Sequence, residues 1–376
     1  MNCPFVRFTT FFRTLFLAVT FLCSVSACRA AIQYVISIEH PEQHVFHITM
    51  TISDVKGEVT VQMPAWNALY QIRDFSNHVR QVDAFAGEER LPIEKLDKQT
   101  WKIKGNGTIT IRYETYWDDP GPFATQLNAD HAFINPAMIL FYVPDRRAEE
   151  TTAIFGAPRT WQGAGALIQG EMSTGGGHGL VEKAPGYDAL VDAPVELGKF
   201  ETFPLPGVKP EIWVVVHGDN WKKKQVESEL ARICQYELKL MDGAPFERYT
   251  FLLHIGKAAN GAGGGMEHAN STAIYVPSDE YLSGVAAHEF FHLWNVKRIR
   301  PATLEPVDYT KEQYTRALWF AEGVTSTYGS FTLVRSGIWN KQQFYADLGD
   351  QISELEARPA NKWHTASFPV PFDTGS

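Results

Sequence analysis

The sequence predicts an α+β protein in which an N-terminal antiparallel β-sandwich precedes a mixed domain built around one apolar helix. Three observations carry that prediction. Apolar and polar residues alternate with a period of two through much of 32–142. Short apolar runs beyond Ile212 bracket a segment of helical period, and residues 281–296 are packed with apolar side chains, as a buried helix is. With 376 residues, 44% hydrophobic and 20% charged, the chain is long enough for two domains, each with its own core.

The first thirty residues stand apart. Arg7 and Arg13 lead into the apolar run 15–23, followed by small residues around Val25, Ser26 and Ala27, the pattern of a secretory signal peptide and too short for a membrane span. Val25 to Cys28 also resembles a bacterial lipobox, so either Cys28 is lipidated or cleavage falls after Ala27 or Ala30. Both routes take the chain out of the cytoplasm, to the periplasm or cell envelope. Loss of Arg7, Arg13 and Arg29 with the leader takes the formal charge from −9 to −12, which argues against a nucleic-acid partner. Of the four cysteines, Cys234 and at most Cys28 remain, so neither a disulfide framework nor a cysteine-held metal is expected.

Residues 31–150 are assigned to the sandwich, with strands at 32–39, 44–52, 58–63, 108–116 and 139–142 and turn residues at Lys104, Gly105, Asn106 and Gly107. Residues 151–200 read as a Gly/Pro-rich connecting segment. Its Gly175, Gly176, Gly177, His178, Gly179 run lacks the Lys-Ser/Thr and the flanking strand of a phosphate loop. The mixed domain covers 201–376. Strands are expected at 212–217, 249–254 and 272–276, and an amphipathic helix at 221–241 with Val226, Leu230, Ile233, Leu238 and Leu240 near one face, Asp219 as N-cap and Gly243 beyond its end.

The apolar helix 281–296 contains His288, Glu289, Phe290, Phe291 and His292, the string H-E-x-x-H. Positions i and i+4 share a helix face, so His288 and His292 can offer two imidazole nitrogens to one metal ion, with Glu289 one step round as a base. A mixed sheet leading into such a helix is the arrangement of a zincin domain. A catalytic zinc needs a third protein ligand. The metzincin continuation would put Gly and His where Asn295 and Arg298 stand, which excludes that class. Glu305 lies in a Pro-flanked loop and Glu312 near the polar start of a helix expected from about Thr310. Glu322 falls inside the apolar run Ala317 to Val324, where a bare carboxylate would cost several kcal/mol, and is the expected ligand.

Three separated motifs now stand in order: Gly264, Gly265, Met266, Glu267, His268; then 288–301, HEFFHLWNVKRIRP; then 319–328, WFAEGVTSTY. Together they closely resemble the glycyl aminopeptidase family of zinc metallopeptidases. The resemblance covers most of the mature chain, and it implies a thermolysin-like catalytic domain of the gluzincin type. It implies one zinc ion on His288, His292 and Glu322, with Glu289 as catalytic base. The Gly264–His268 segment looks like the Gly-x-Met-Glu-Asn motif of larger zinc aminopeptidases, where a strand edge binds peptide backbone and the glutamate grips a free amino group. Gly264, Gly265, Met266, Glu267 and His268 are thus expected to bind substrate, His268 either as a donor or as a packing residue.

Tyr328 resembles the second tyrosine of the family's E-G-x-T-x-Y-Y pattern, a candidate oxyanion donor, although Thr327 replaces the first. Family members usually continue through a further helical region and often a PDZ domain. This chain ends at Ser376, which points to a C-terminally truncated member.

The expected activity is water-mediated hydrolysis of peptides with a free N-terminus. Two rivals remain: an endopeptidase of the same chemistry, and a catalytically silent peptide-binding envelope protein.

Overall fold

The computed structural model describes residues 31–67, 74–174, 177–311, 313–359 and 370–371. The leader, Cys28, Gly175, Gly176 and Glu312 lie outside them. Alternating burial does what the pattern asks: Tyr34 and Ile36 on strand Ile32–Ser37, Phe46, Ile48, Met50 and Ile52 on Val45–Val55, and Ile109, Ile111 and Tyr113 on Gly107–Tyr116 all point into one core. These three belong to an eight-stranded sheet, which is antiparallel except where Ile32–Ser37 runs parallel to Thr151–Pro158. A three-stranded sheet holding Glu58–Gln62 and a four-stranded one holding His131–Ile134 complete the β-rich half.

Two expectations are corrected here. Residues 151–200 are not a connecting segment but strands Thr151–Pro158, Gln162–Gly165, Ile168–Thr174, Gly177–Ala184 and Val195–Gly198, with the short helix α1 (Tyr187–Val191). Some of the glycines there reflect close packing: a Cβ on Gly163 would sit 1.8 Å from Leu180 Cδ1 and one on Gly165 2.7 Å from Glu182 Oε1. Residues 139–142 form no strand. Three of their carbonyls are served by tyrosine hydroxyls, with Tyr113 donating to Ile139 O (2.9 Å), Tyr187 to Leu140 O (2.8 Å) and Tyr34 to Phe141 O (2.7 Å), while Tyr142 makes a single antiparallel bridge with Gln62.

The second half is a five-stranded mixed sheet in the order Glu201–Pro204, Glu211–Gly218, Arg248–Ile255, Ser271–Val276, Gly264–Glu267. Both pairings of Arg248–Ile255 are parallel and both outer pairings are antiparallel. Helices α2 (Lys223–Leu240), α3 (Leu282–Phe291) and α4 (Thr325–Arg335) pack on it, with Val226, Leu230, Ile233 and Leu238 sharing a core with Phe251, Leu253, Ala286 and Phe290. Helix α5 (Lys341–Ala357) follows, closed at its start by an Asn340–Gln343 capping box.

Details of the helices differ from the sequence reading. Leu240 is exposed, and Lys222 rather than Asp219 stands at the N-cap of α2, its N–H donating to Asp279 Oδ2 (2.8 Å). No helix begins near Thr310, because Asp308 Oδ1 accepts from the Thr310 N–H (2.9 Å) and hydroxyl (2.6 Å) and turns the chain. Helical structure starts near Leu318, as a π-helical turn Trp319–Val324 running into α4.

Candidate metal centre and its substrate edge

Helix α3 stops at His292 instead of running to Val296, and the reason is visible at the second histidine. His292 Nδ1 donates to the Asn295 carbonyl (2.6 Å), which is turned out of helical register to receive it. A carbonyl can only accept, so the neutral His292 ring carries its proton on Nδ1 and directs the Nε2 lone pair into the site. His288, one turn back, brings its own Nε2 to 2.9 Å from that atom, while its Nδ1 lies 3.2 Å from Ser326 Oγ. Glu322 Oε2 closes the triangle at 3.3 Å from His288 Nε2 and 3.5 Å from His292 Nε2.

Asn295 also fixes the third corner. Its Nδ2 donates to Phe320 O (3.0 Å), Ala321 O (3.1 Å) and Thr325 Oγ1 (3.1 Å), pinning the π-helical turn that carries Glu322. Glu322 is less enclosed than its apolar neighbourhood predicts: its side chain is 34% exposed, and Trp319 beside it is 53% exposed. Burial alone would raise the Glu322 pKa, but the hydrogen bonds and charges of His288 and His292 hold it well below the usual carboxylate range.

Glu289 sits on the inner side, buried, with Oε2 lacking a hydrogen-bond partner among the described residues. Burial drives its pKa well up; Glu267 and Glu322 push the same way, while His292 opposes them. Space for it is made by Gly265, where a Cβ would lie 2.4 Å from Glu289 Cγ. Glu267, Glu289 and His292 bring donor atoms within 4.8 Å of one another. Burial lowers the His292 pKa, yet the charges of Glu267, Glu322 and Glu289 carry it up to about 10. The site therefore favours a positive charge where the two imidazoles meet, and two histidines with one carboxylate suit zinc.

Among the described residues Gly264–Glu267 is the edge strand of the sheet and pairs only with Ser271–Val276; its Gly264 is exposed, while Met266 and Glu267 are buried. Gly264 has φ +101°, a conformation that favours glycine. Met266 is buried, with its Sδ 4.0 Å from Asn67 Nδ2 of the N-terminal half.

Two expected residues are not brought to the centre. His268 is buried, with Nδ1 donating to Asp192 Oδ1 (3.0 Å), and Asp192 is held in turn by Lys297 Nζ (2.8 Å). Tyr328 stacks flat on Phe291 with centroids 4.7 Å apart, 36% exposed, and no hydrogen bond joins it to His288, Glu289, His292 or Glu322. The sequence reading missed the supporting roles of Asn295, Ser326 and Asp192. Asn295 had a local signal, three residues past His292, whereas Asp192 is 105 residues from Lys297 and left none.

Comparisons agree with this architecture. Residues 33–199 match the model of the peptidase M61 N-terminal domain and residues 281–368 that of the M61 glycyl aminopeptidase. The fold is similar to an aminopeptidase N family protein from Idiomarina loihiensis, with a TM-score of 0.82 and 28% identity over 89% of this chain and 60% of that one. The chain thus spans 60% of that protein's length. An M1 zinc metallopeptidase from Deinococcus radiodurans shares the fold at a TM-score of 0.55 and 12% identity, over 90% of this chain and 76% of that one. No curated protein sequence matches significantly.

Proposed function

The chain belongs to the M61 glycyl aminopeptidase family, and on that premise we propose that it is a zinc aminopeptidase that releases residues from the free N-terminus of peptides. One observation carries the reading: Glu267, at the end of the sheet's edge strand, converges with Glu289 and His292 beside the His288–Glu322 corner. His288, His292 and Glu322 hold the ion. Bound there, zinc supplies a Lewis acid for the scissile carbonyl and brings the pKa of a coordinated water toward about 7.

The chain's own side chains supply the rest. A peptide lies along Gly264–Glu267 and pairs through its backbone. Its ammonium group meets the Glu267 carboxylate, which fixes how far the first peptide bond stands from the ion. Glu289 takes the proton from the attacking water and delivers it to the departing amine. Its burial raises its proton affinity toward what a group that must hold and then release a proton needs. Glu289→Gln should lower turnover by roughly 10²–10⁴-fold, the range of general acid–base catalysis, while elemental analysis still finds zinc. Turnover within twofold of the wild type would remove Glu289 from the mechanism. Cleavage of N-blocked peptides as fast as free ones would instead identify an endopeptidase.

Export is part of the same proposal, supported by residues 1–30 as a secretory leader with a lipidation alternative at Cys28. The mass of the N-terminal peptide from the envelope fraction tests it, and an intact leader in the cytoplasm would contradict it.

A further inference from the structure

A second group of imidazoles and a carboxylate lies at the seam between the two halves. His131 comes from strand His131–Ile134 and Glu196 from its neighbour Val195–Gly198, both of the N-terminal half; His254 comes from Arg248–Ile255 in the catalytic sheet. All three are buried, and one ligand atom from each falls within 4.8 Å of the other two. His131 Nδ1 is 3.0 Å from Glu196 Oε1, and His254 Nε2 is 3.1 Å from Glu196 Oε2.

Proton accounting makes this more than an ion pair. Gln126 Nε2 donates to Asp118 Oδ1 (3.0 Å), which fixes the amide so that its Oε1 faces His131 Nε2 at 3.2 Å. That oxygen can only accept, so Nε2 carries the ring proton, and the lone pair on Nδ1 of a neutral His131 points at a carboxylate oxygen. Two acceptors in a buried setting need a cation between them, either a second proton on the ring or a metal. His254 Nε2 lies 3.1 Å from Glu196 Oε2 and 3.4 Å from the Tyr275 hydroxyl, while its buried Nδ1 has no hydrogen-bond partner among the described residues. The H-E-x-x-H centre shows the same signature: imidazole nitrogens and a carboxylate crowded together, with buried carboxylate oxygens left unpaired at Glu289 Oε2 and Glu322 Oε1.

We propose that His131, Glu196 and His254 form a second metal site, taking a divalent transition ion of the zinc or cobalt class and fastening the N-terminal half to the catalytic sheet. An imidazole–carboxylate set selects such ions. The His131–Gln126–Asp118 chain supplies the outer hydrogen bonds that orient a ligating histidine. Entry is available through a polar cleft of about 540 Å³ lined by His131, Lys199, His217 and Lys257, where His217 stacks on His131 at 4.3 Å. Because all three donors are buried, the ion is structural.

The test uses the full mature chain carrying His288→Ala and His292→Ala, which disables the first centre. Loaded with zinc and desalted, this variant should retain one ion per chain by elemental analysis, and crystals should show a zinc-edge anomalous peak between His131, Glu196 and His254. Adding Glu196→Gln should abolish both. No retained zinc, or a peak only elsewhere on the molecule, would overturn the proposal and assign the cluster a shared proton. Neither readout depends on peptidase activity, so failure here leaves the aminopeptidase reading untouched.

Discussion

The two imidazole–carboxylate clusters of this molecule differ less in their donors than in what surrounds them. At the H-E-x-x-H centre two histidines come from adjacent turns of one helix, Glu322 is partly open, and two further carboxylates and the edge strand Gly264–Glu267 lie beside them. At the seam the donors come from three strands and all are buried, with His217 stacked on His131 and the Tyr275 hydroxyl 3.4 Å from His254 Nε2. A closed donor set holds; a partly open one with a base beside it reacts. The proposed reactivity rests on Glu289, Glu267 and the Gly264–Glu267 edge, added to a triad that otherwise resembles the other.

The largest expected effect tests that addition without touching a ligand or a base. Gly265→Ala places a methyl 2.4 Å from Glu289 Cγ and must displace the carboxylate. Turnover should fall by roughly 10²–10⁴-fold, toward that of Glu289→Gln, with zinc content unchanged. Near-normal turnover would show that the close fit of Gly265 and Glu289 has no role.

Asn295→Ala comes next. It removes the side-chain contacts that pin the Glu322 turn while leaving all three ligands in place. Loss of such outer support should weaken zinc binding by roughly 10–100-fold, read by competition with a chromogenic chelator. Unchanged affinity would place the ordering of Glu322 elsewhere.

The smallest effect belongs to the seam in chelator-treated protein. Glu196 is held near about 2 in the fold against an ordinary value of 4.5, a depressed carboxylate. Its stabilisation is therefore present above pH 4.5 and lost as pH falls through about 2. The stability gap between wild type and Glu196→Gln, measured by urea unfolding, should be full at pH 6 and markedly smaller at pH 3. A gap that widens on acidification would contradict the ionised assignment.

Legibility in the sequence follows the same division. Local periodicity exposed the strands Ile32–Ser37, Val45–Val55 and Gly107–Tyr116 of the first sheet, the amphipathic helix α2 and the H-E-x-x-H helix, because each is written in residues a few positions apart. Glu322 was found through its apolar setting, although the π-helical turn leaves it more open than that setting implied. Close-packing glycines such as Gly163 imitate a linker, and 139–142 imitates a strand, because the deciding partners, Leu180 and three tyrosine hydroxyls, lie far along the chain. The seam triad is invisible for the same reason: His131 and Glu196 stand 65 residues apart with no periodic relation.

The central claim is that Glu267 turns a zinc hydrolase site into an aminopeptidase site, and one ratio tests it most directly. For wild type and Glu267→Ala, kcat/KM is measured on a free aminoacyl substrate and on its N-acetylated counterpart. Loss of a charge-assisted contact of about 1.5–3 kcal/mol predicts a roughly 10–100-fold fall on the free substrate and little change on the blocked one, collapsing the ratio. Equal losses on both substrates, with the ratio preserved, would contradict it.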